Sequence, residues 1–354
     1  MALEQLGTPE SPTFGLDTFG DRGTDADGRV VSHAGAIRQV VEEAVLADRL
    51  GLDFIGVGEH HRDDFAVSSP DIVLATIAGR TERIRLGTSV TVLSSDDPVR
   101  VFERFSTLDA LSGGRAEVTL GRGSFTESFA LFGYKLDDYE VLFAEKLDLF
   151  AELLREEPVT WHGTTRLPLE DQRAYPPTES GRLPAWIGVG GTPQSVVRAA
   201  RYGMPLVLAV IGGSPAQFAP LVDLYHRALA EYDHETRPIS MHSPGHVART
   251  DEEAVEQHFP YHAEQFTTIG RERGWAPFTR QAYDSMLGPE GALFVGSPET
   301  VAQKIAWAVQ TLGLSRFQLK YTVGKQPNAD RMSSLRLYAE EVVPRVRELL
   351  TASS

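Results

Sequence analysis

No cysteine occurs among the 354 residues. That absence excludes disulfides, thiol nucleophiles, iron–sulfur ligation and cysteine-based zinc sites. Positive charge is also in short supply. Lys and Arg number 34 against 49 Asp and Glu, for a net charge of −15. Such a chain repels phosphate backbones, which argues against nucleic acid as a partner. The charges are spread along the chain and read as solvated faces rather than an interaction tail. No apolar run reaches the roughly 20 residues that span a bilayer, so no membrane association is expected. The first residues, MALEQLGTPESPTFG, hold no basic segment followed by an apolar one, as a signal peptide would. A cytoplasmic protein is the expectation. Internal repeats and low-complexity tracts are missing too.

What is present is an ordinary globular composition, 42% hydrophobic and 23% charged. Short β-branched or aromatic runs alternate with longer helical patterns. The strand-like runs are Thr13–Phe19, Phe54–Val57, Ile84–Leu93, Ala116–Leu120, Ala185–Val189, Leu206–Ile211, Met241–Ala248 and Arg316–Tyr321. Between them, Ile37, Val40, Val41, Ala44, Val45, Ala47 and Leu50 recur at helical spacing. Ser69-Pro70-Asp71 reads as a helix start, with a hydroxyl cap and proline in the first turn. Helices are also expected at Pro98–Leu111, Asp138–Glu156, Pro193–Tyr202, Pro215–Tyr232, Pro298–Leu312 and from about Ala329 to Leu350, and Asp251–Phe259 reads as the start of another. Alternation of this kind implies a parallel sheet, and eight units imply a closed (β/α)8 TIM barrel. Two segments break the rhythm. Pro158–Gly181, after the helix that follows strand 4, is an inserted hairpin or loop. Tyr261–Leu293, after strand 7, reads as irregular and aromatic-rich. A doubly wound open sheet is the alternative; it would split into two domains, and no linker divides residues 1–354, which read as one domain.

Four strand ends carry chemistry. The second strand, in DFIGVGEHHR, runs from apolar residues straight into Glu59, His60 and His61. Catalytic residues of (β/α)8 barrels sit at such C-terminal ends, and histidine exchanges protons near neutral pH. Neighbouring residues of an extended chain point to opposite sides, so at most one of His60 and His61 is expected to face a common pocket. A polar loop with two surface histidines is the other reading. The third strand, LGTSVTVL, places Gly87, Thr88 and Ser89 where a flat ligand can approach backbone; a plain core strand has the same pattern. The fourth ends in Gly121-Arg122-Gly123, a guanidinium suited to phosphate or an ordinary loop. The fifth, IGVGGTPQSV, runs into a helix whose first turn holds Ser195. Free N–H groups and the helix dipole make an anion site there. A simple N-cap by Thr192 is compatible with that site. Phosphate on Arg122 and the Thr192–Ser195 turn, a ring near Ser89, and His60 beside the ring together describe a mononucleotide such as FMN.

Taken in order, EHHR, RIRLGTSVTVLSSDDPVRVFE, LDALSGGRAEVTLGRG, GVGGTPQSVVRAARYG and VGSPETVAQKI resemble the bacterial-luciferase-like flavin monooxygenases over most of the chain. The resemblance implies a barrel that binds reduced FMN, usually as a homodimer. It implies that flavin and O2 form a peroxide adduct, which oxidises a small organic substrate. The family's catalytic histidine falls on His60 within its Glu59-His60-His61 motif, its phosphate arginine on Arg122, and its phosphate hydroxyls on Thr192 and Ser195. Its cis peptide falls at Ser89–Val90. Glu59, Ser89, Val90, Arg122, Gly191, Thr192 and Ser195 are therefore the expected cofactor-binding set. Two positions depart from the luciferase proper: Gly121 stands for a reactive cysteine, and Gly191 for an acidic residue. These departures mark a relative rather than a light-emitting subunit, and aldehyde chemistry is not supported by them. No pyridine-nucleotide fingerprint is present, so a separate NAD(P)H flavin reductase is expected to supply the reduced FMN.

Three other readings compete. A deazaflavin-dependent hydride transferase would share the fold, but the cofactor's acidic tail favours a more basic groove. A flavin-binding protein without turnover is the second. The third is a barrel hydrolase with a metal on Glu59, His60 and His61, although adjacent histidines are poorly arranged for one ion and no HExxH occurs. No metal site is expected. Phe125, Phe129 and Phe132 and the aromatics of Tyr261–Tyr283 are candidates for an apolar substrate wall or for plain packing. His246, in GHVA, faces the pocket or is a satisfied core histidine.

Overall fold

Each of the eight expected runs is a strand in the computed structural model, which describes residues 6–123 and 125–352. Residues 1–5, which begin the signal-peptide reading, and Ser124 of the GRGS stretch lie outside the described residues. The strands are Thr13–Thr18, Phe54–Val57, Arg85–Thr88 continued by Thr91–Val92, Val118–Gly121, Ala185–Val189, Leu206–Ala209, Ile239–Val247 and Arg316–Lys320. Neighbours pair in parallel throughout, and the first strand lies between the second and the eighth. Leu86 joins the two edges of the sheet: its N–H donates to Arg115 O at 3.0 Å, and it accepts from Glu117 N–H at 2.9 Å. Short strands buried on both faces need helices outside, and the amphipathic helices supply that cover. His33–Arg49 buries Ala36, Val40, Ala44 and Ala47, and Ser32 caps it by accepting from Gly35 N–H at 3.1 Å.

The barrel is filled in layers. At the N-terminal end Glu117 is fully buried among Arg316 (3.0 Å), Arg85 (3.3 Å) and the Trp186 indole N–H (2.5 Å). The Arg316 guanidinium lies between the rings of Phe54 (4.4 Å) and Trp186 (4.8 Å). Above it, Asp17 meets His242 Nδ1 at 2.6 Å. A side chain at Gly56 would overlap the Asp17 carboxylate, which is why this strand carries glycine in its middle.

Nearer the mouth, Asp21 accepts from Lys320 Nζ at 2.6 Å and from Thr322 Oγ1 at 2.7 Å. Burial raises the Asp21 carboxyl, but the Lys320 ammonium and the hydrogen bonds of Thr322 and Gln265 outweigh it and hold the group down to about 2. A carboxyl lowered on folding stabilises the fold above its unfolded value near 4, and that contribution is lost as pH falls toward its folded value. Wild-type stability to urea is therefore expected to fall between about pH 4 and pH 2 more steeply than that of Asp21→Asn. Equal slopes for the two proteins would remove this pair from the acid limb.

The inserted hairpin is present, with Val159–Trp161 antiparallel to Leu169–Gln172. The segment after strand 7 differs from expectation. One helix runs through Pro260, from Asp251 to Glu272, and a second spans Arg280–Leu287. Proline inside a helix loses a hydrogen bond and crowds the preceding turn. Here the helix is held on its buried face by Ala254, His258, His262 and Gly270. That face is drawn largely in histidine, so it gave no aliphatic periodicity. A further three-residue strand, Phe294–Gly296, extends the sheet beside Gly245–Val247.

Candidate active site

The C-terminal ends of the strands open onto a cavity of about 490 Å³. The second strand delivers His60 to it through Gly58, where any side chain would strike the Phe19 ring and Ser89 O. The His60 N–H donates to Val67 O at 2.9 Å. Its ring stands among Phe19 (4.6 Å), Phe65 (4.6 Å) and Phe125 (5.3 Å). Burial in this aromatic collar pushes the imidazole down to about 3. His60 is therefore neutral near pH 7 in the resting protein. In that form the ring offers one N–H donor and one bare nitrogen acceptor.

Both histidines line the cavity, where only one was expected. The strand ends at Val57, so its alternation does not extend to the two histidines. His61 Nε2 meets Glu59 Oε1 at 2.9 Å, and its ring lies edge-on to Phe132 at 5.0 Å. Glu59 uses its other oxygen, Oε2, to accept from Val92 N–H at 2.9 Å, while its own N–H donates to Val90 O at 3.1 Å. Its carboxylate thus buckles the second strand to the third. Ser89–Val90 is a cis peptide, as the resemblance implied, and both residues line the cavity. Gly121 and Gly188, on the two following strands, leave room for the Val90 side chain. This gives Gly121 a packing reason of its own.

Arg122 lines the same wall, with its guanidinium 5.3 Å from the Tyr139 ring and paired to Glu140. The other Glu140 oxygen accepts from Arg198 Nη2 at 3.3 Å. Arg198 Nη1 is buried and has no hydrogen-bond partner among the described residues. Ser195 is buried and lines the cavity; Thr192 lies one turn earlier, outside the wall, and its hydroxyl meets Ser195 Oγ at 2.8 Å. Thr192 makes no side-chain cap, so the simple N-cap reading fails. Gly191, also outside the wall, has φ +115°, a conformation that disfavours side chains. At Gly190 a Cβ would meet nothing within 4 Å, so that strand end leaves open space.

Several lining residues were not anticipated. His242 and Lys320 come from the seventh and eighth strands, and Phe19 from just beyond the first. Strand parity was the available signal, since His242 and Pro244 alternate along MHSPGHV and both line the cavity. His246 shares that parity but lies beyond the wall, held by Gln257 (2.8 Å) and Gln326 (3.1 Å). Of the candidate aromatics, Phe125, Phe266 and Trp275 line the cavity. Phe129 packs instead on Tyr139 at 5.5 Å. Arg62, the last residue of EHHR, lies with its guanidinium 4.6 Å from the Phe125 ring of the wall. It binds Glu272 through both guanidinium branches at 2.7 Å, Asp64 at 3.0 Å, and also Glu127. Three segments distant in sequence meet there. Among the described residues no group of three or more His, Cys, Asp or Glu converges as a metal site, and no helix is long and apolar enough to cross a membrane.

A closed ring of parallel strands with these side chains at its C-terminal mouth is a (β/α)8 barrel with its candidate site at the end where such barrels carry theirs. Residues 19–316 match the luciferase-like monooxygenases, and the chain belongs to that family. It is 36% identical over 166 residues to a 4-hydroxyprotoasukamycin monooxygenase of Streptomyces nodosus subsp. asukaensis, covering 46% of this chain and 44% of that protein. Across the first curated relatives the match spans about half of their length. The alkanal monooxygenase alpha chain of Photobacterium leiognathi is 24% identical over 90% of this chain and 95% of its own. Among solved structures, monooxygenase RslO1 from Streptomyces bottropensis superposes with TM-score 0.79 at 23% identity, over 94% of this chain and 99% of its own. The FMN complex of the oxygenating constituent of 3,6-diketocamphane monooxygenase from Pseudomonas putida gives 0.75 at 18%, over 95% and 99%. A coenzyme F420-dependent tetrahydromethanopterin reductase from Methanopyrus kandleri gives 0.68 at 16%, over 95% and 99%. At these identities the structures speak for the fold.

Proposed function

We propose that this chain is an FMN-dependent monooxygenase that oxidises a small organic substrate with O2. The observation that carries this reading is the anion-seeking corner of the cavity. Arg122 and Ser195 line it, and Arg198, which shares Glu140 with Arg122, has a buried Nη1 with no partner among the described residues. Glu140 bridges both guanidinium groups, as a phosphate would. Gly190 leaves open space next to it, and Ser89–Val90 presents backbone to a flat ring. The residues present fit a flavin mononucleotide. Arg122, Ser195 and Thr192 would hold its phosphate, with Gly191 giving the backbone its turn. Ser89 and Val90 would seat the ring, with Glu59 bracing them from behind.

A reduced flavin supplies the electrons with which O2 is activated. The chain supplies position and exclusion of water. His60, neutral and collared by aromatic rings, donates or accepts one hydrogen bond at the reacting face. Residues 1–354 act as one luciferase-like barrel unit in this reading, in the cytoplasm. A homodimer and a separate NAD(P)H-dependent flavin reductase complete it. The family match and the named monooxygenase relatives support it.

The test is a titration with FMN, oxidised and photoreduced under anaerobic conditions, on wild type and Arg122→Ala. Each charged hydrogen bond to phosphate contributes about 1.5–3 kcal/mol, so the variant is expected to bind roughly 10- to 100-fold more weakly. Equal affinity would move the phosphate away from Arg122. A second reading rests on the shared fold of the F420-dependent structures. Failure of FMN to bind in either redox state would turn the assignment to a deazaflavin, against which the net charge of −15 counts.

A further inference from the structure

A neutral imidazole always carries one N–H donor and one bare acceptor nitrogen. Buried histidines therefore find partners, and three of those near the cavity do. His242 Nδ1 meets Asp17, His246 meets Gln257 and Gln326, and His258 Nδ1 meets the Tyr283 hydroxyl at 2.8 Å. His262 does not. It is fully buried, it lines the cavity, and among the described residues neither Nδ1 nor Nε2 has a hydrogen-bond partner. Burial and the nearby Lys320 charge push it down to about 3, so it is neutral. A phenylalanine would fill the same space without stranding two polar atoms. An unmade hydrogen bond of this kind is costly, so a histidine retained here points to a visitor that completes it.

The surroundings define the visitor. His262 is one turn before Phe266, whose ring lies stacked on it at 4.2 Å and is only half-buried. Phe266, Ile269, Trp275 and Phe125 make that end of the chamber apolar. Its charges are engaged elsewhere: Arg62 with Glu127, Glu272 and Asp64, and Lys320 with Asp21. Arg273 lies over the rings of Phe125 (5.0 Å) and Trp275 (5.1 Å). With these cations set against carboxylates or ring faces, what the chamber offers here is flat aromatic wall, which suits a ring.

We infer that His262 is the polar anchor of the substrate compartment. It takes the hydroxyl or carbonyl oxygen of a neutral, otherwise apolar ring compound, once the Phe266 ring turns aside. This rests on reading the cavity as a chamber shared by cofactor and substrate. It goes further by naming the substrate class and a residue that selects it.

Binding of 5,6,7,8-tetrahydro-2-naphthol, 2-tetralone and tetralin, measured by calorimetry without reductant, tests it. The three share a bicyclic body and differ in the oxygen. Wild type is expected to prefer at least one oxygenated probe over tetralin by about tenfold or more. His262→Phe is expected to bind all three within about twofold, and His262→Gln, which keeps a donor and an acceptor, to restore the preference. FMN affinity, measured on the same samples, is expected to stay unchanged in both variants. A wild type that does not discriminate, or a folded His262→Phe that still does, overturns the anchor. Loss of FMN binding by wild type with the preference intact would instead overturn the flavin assignment and leave the anchor standing.

Discussion

Glu117→Ala is expected to destabilise the fold by about 3–5 kcal/mol, a large part of the 5–15 kcal/mol typical of a folded domain. The reason is what remains behind. Arg316 is almost fully buried between Phe54 and Trp186, with Arg85 beside it. Glu117 is the carboxylate that balances them. It also accepts the Trp186 indole N–H. Its removal strands a cation and a donor at the floor of the barrel. The pair as a whole is another matter. Desolvation offsets most of its attraction, so the double variant Glu117→Leu with Arg316→Met is expected to be far closer to wild type than the single one. The check is the urea midpoint at constant denaturant slope. A single-variant loss below about 1 kcal/mol would show that water reaches Arg316.

His60→Ala is expected to lower product formation on the order of 100-fold while FMN affinity changes by less than about threefold. The split follows from geometry. His60 touches Phe19, Phe65 and Phe125 and lines the cavity from the second strand, whereas Arg122 and Ser195 follow the fourth and fifth. Product formed per reduced FMN, with any substrate that wild type turns over, is the measurement. Turnover within twofold of wild type would take the reaction away from His60. The rate profile carries a second signature: a ring held down to about 3 adds no limb of its own between pH 5 and 8. A limb there that disappears in His60→Gln would mean that the occupied site recharges the ring.

The barrel was legible because its strands are local. Phe54–Val57 and Ala185–Val189 announce themselves as short apolar runs, and both occur in the structure with the expected bounds. The strand ends were legible for the same reason: Glu59, His60, Ser89, Val90, Arg122 and Ser195 meet at one cavity. The cis bond at Ser89–Val90 came from resemblance, since small residues alone do not reveal it. Contacts between distant segments were beyond reach. Arg198, near the end of its helix, reads as an ordinary complement to the helix dipole. Nothing local says that it shares Glu140 with Arg122. The long helix was cut short because Pro260 is a strong stop signal and its buried face is written in His258 and His262. Phe294–Gly296 is too short to signal against background.

The contact at Arg62 has a consequence for how such a protein can diversify. The residues assigned to chemistry, from Glu59 to Ser195, and those assigned to substrate choice, from His262 to Trp275, lie in separate stretches of the chain. At the rim Arg62 pairs with Glu272, both charges partly open to solvent, and Arg273 lies over Phe125. A fastening of that kind is easily copied, because it asks only for a carboxylate at the right height on the last turn of a helix. The roof can then be exchanged or rebuilt while the floor, the Arg122 corner and His60 stay as they are. The barrel is in that sense a fixed workshop with a replaceable door.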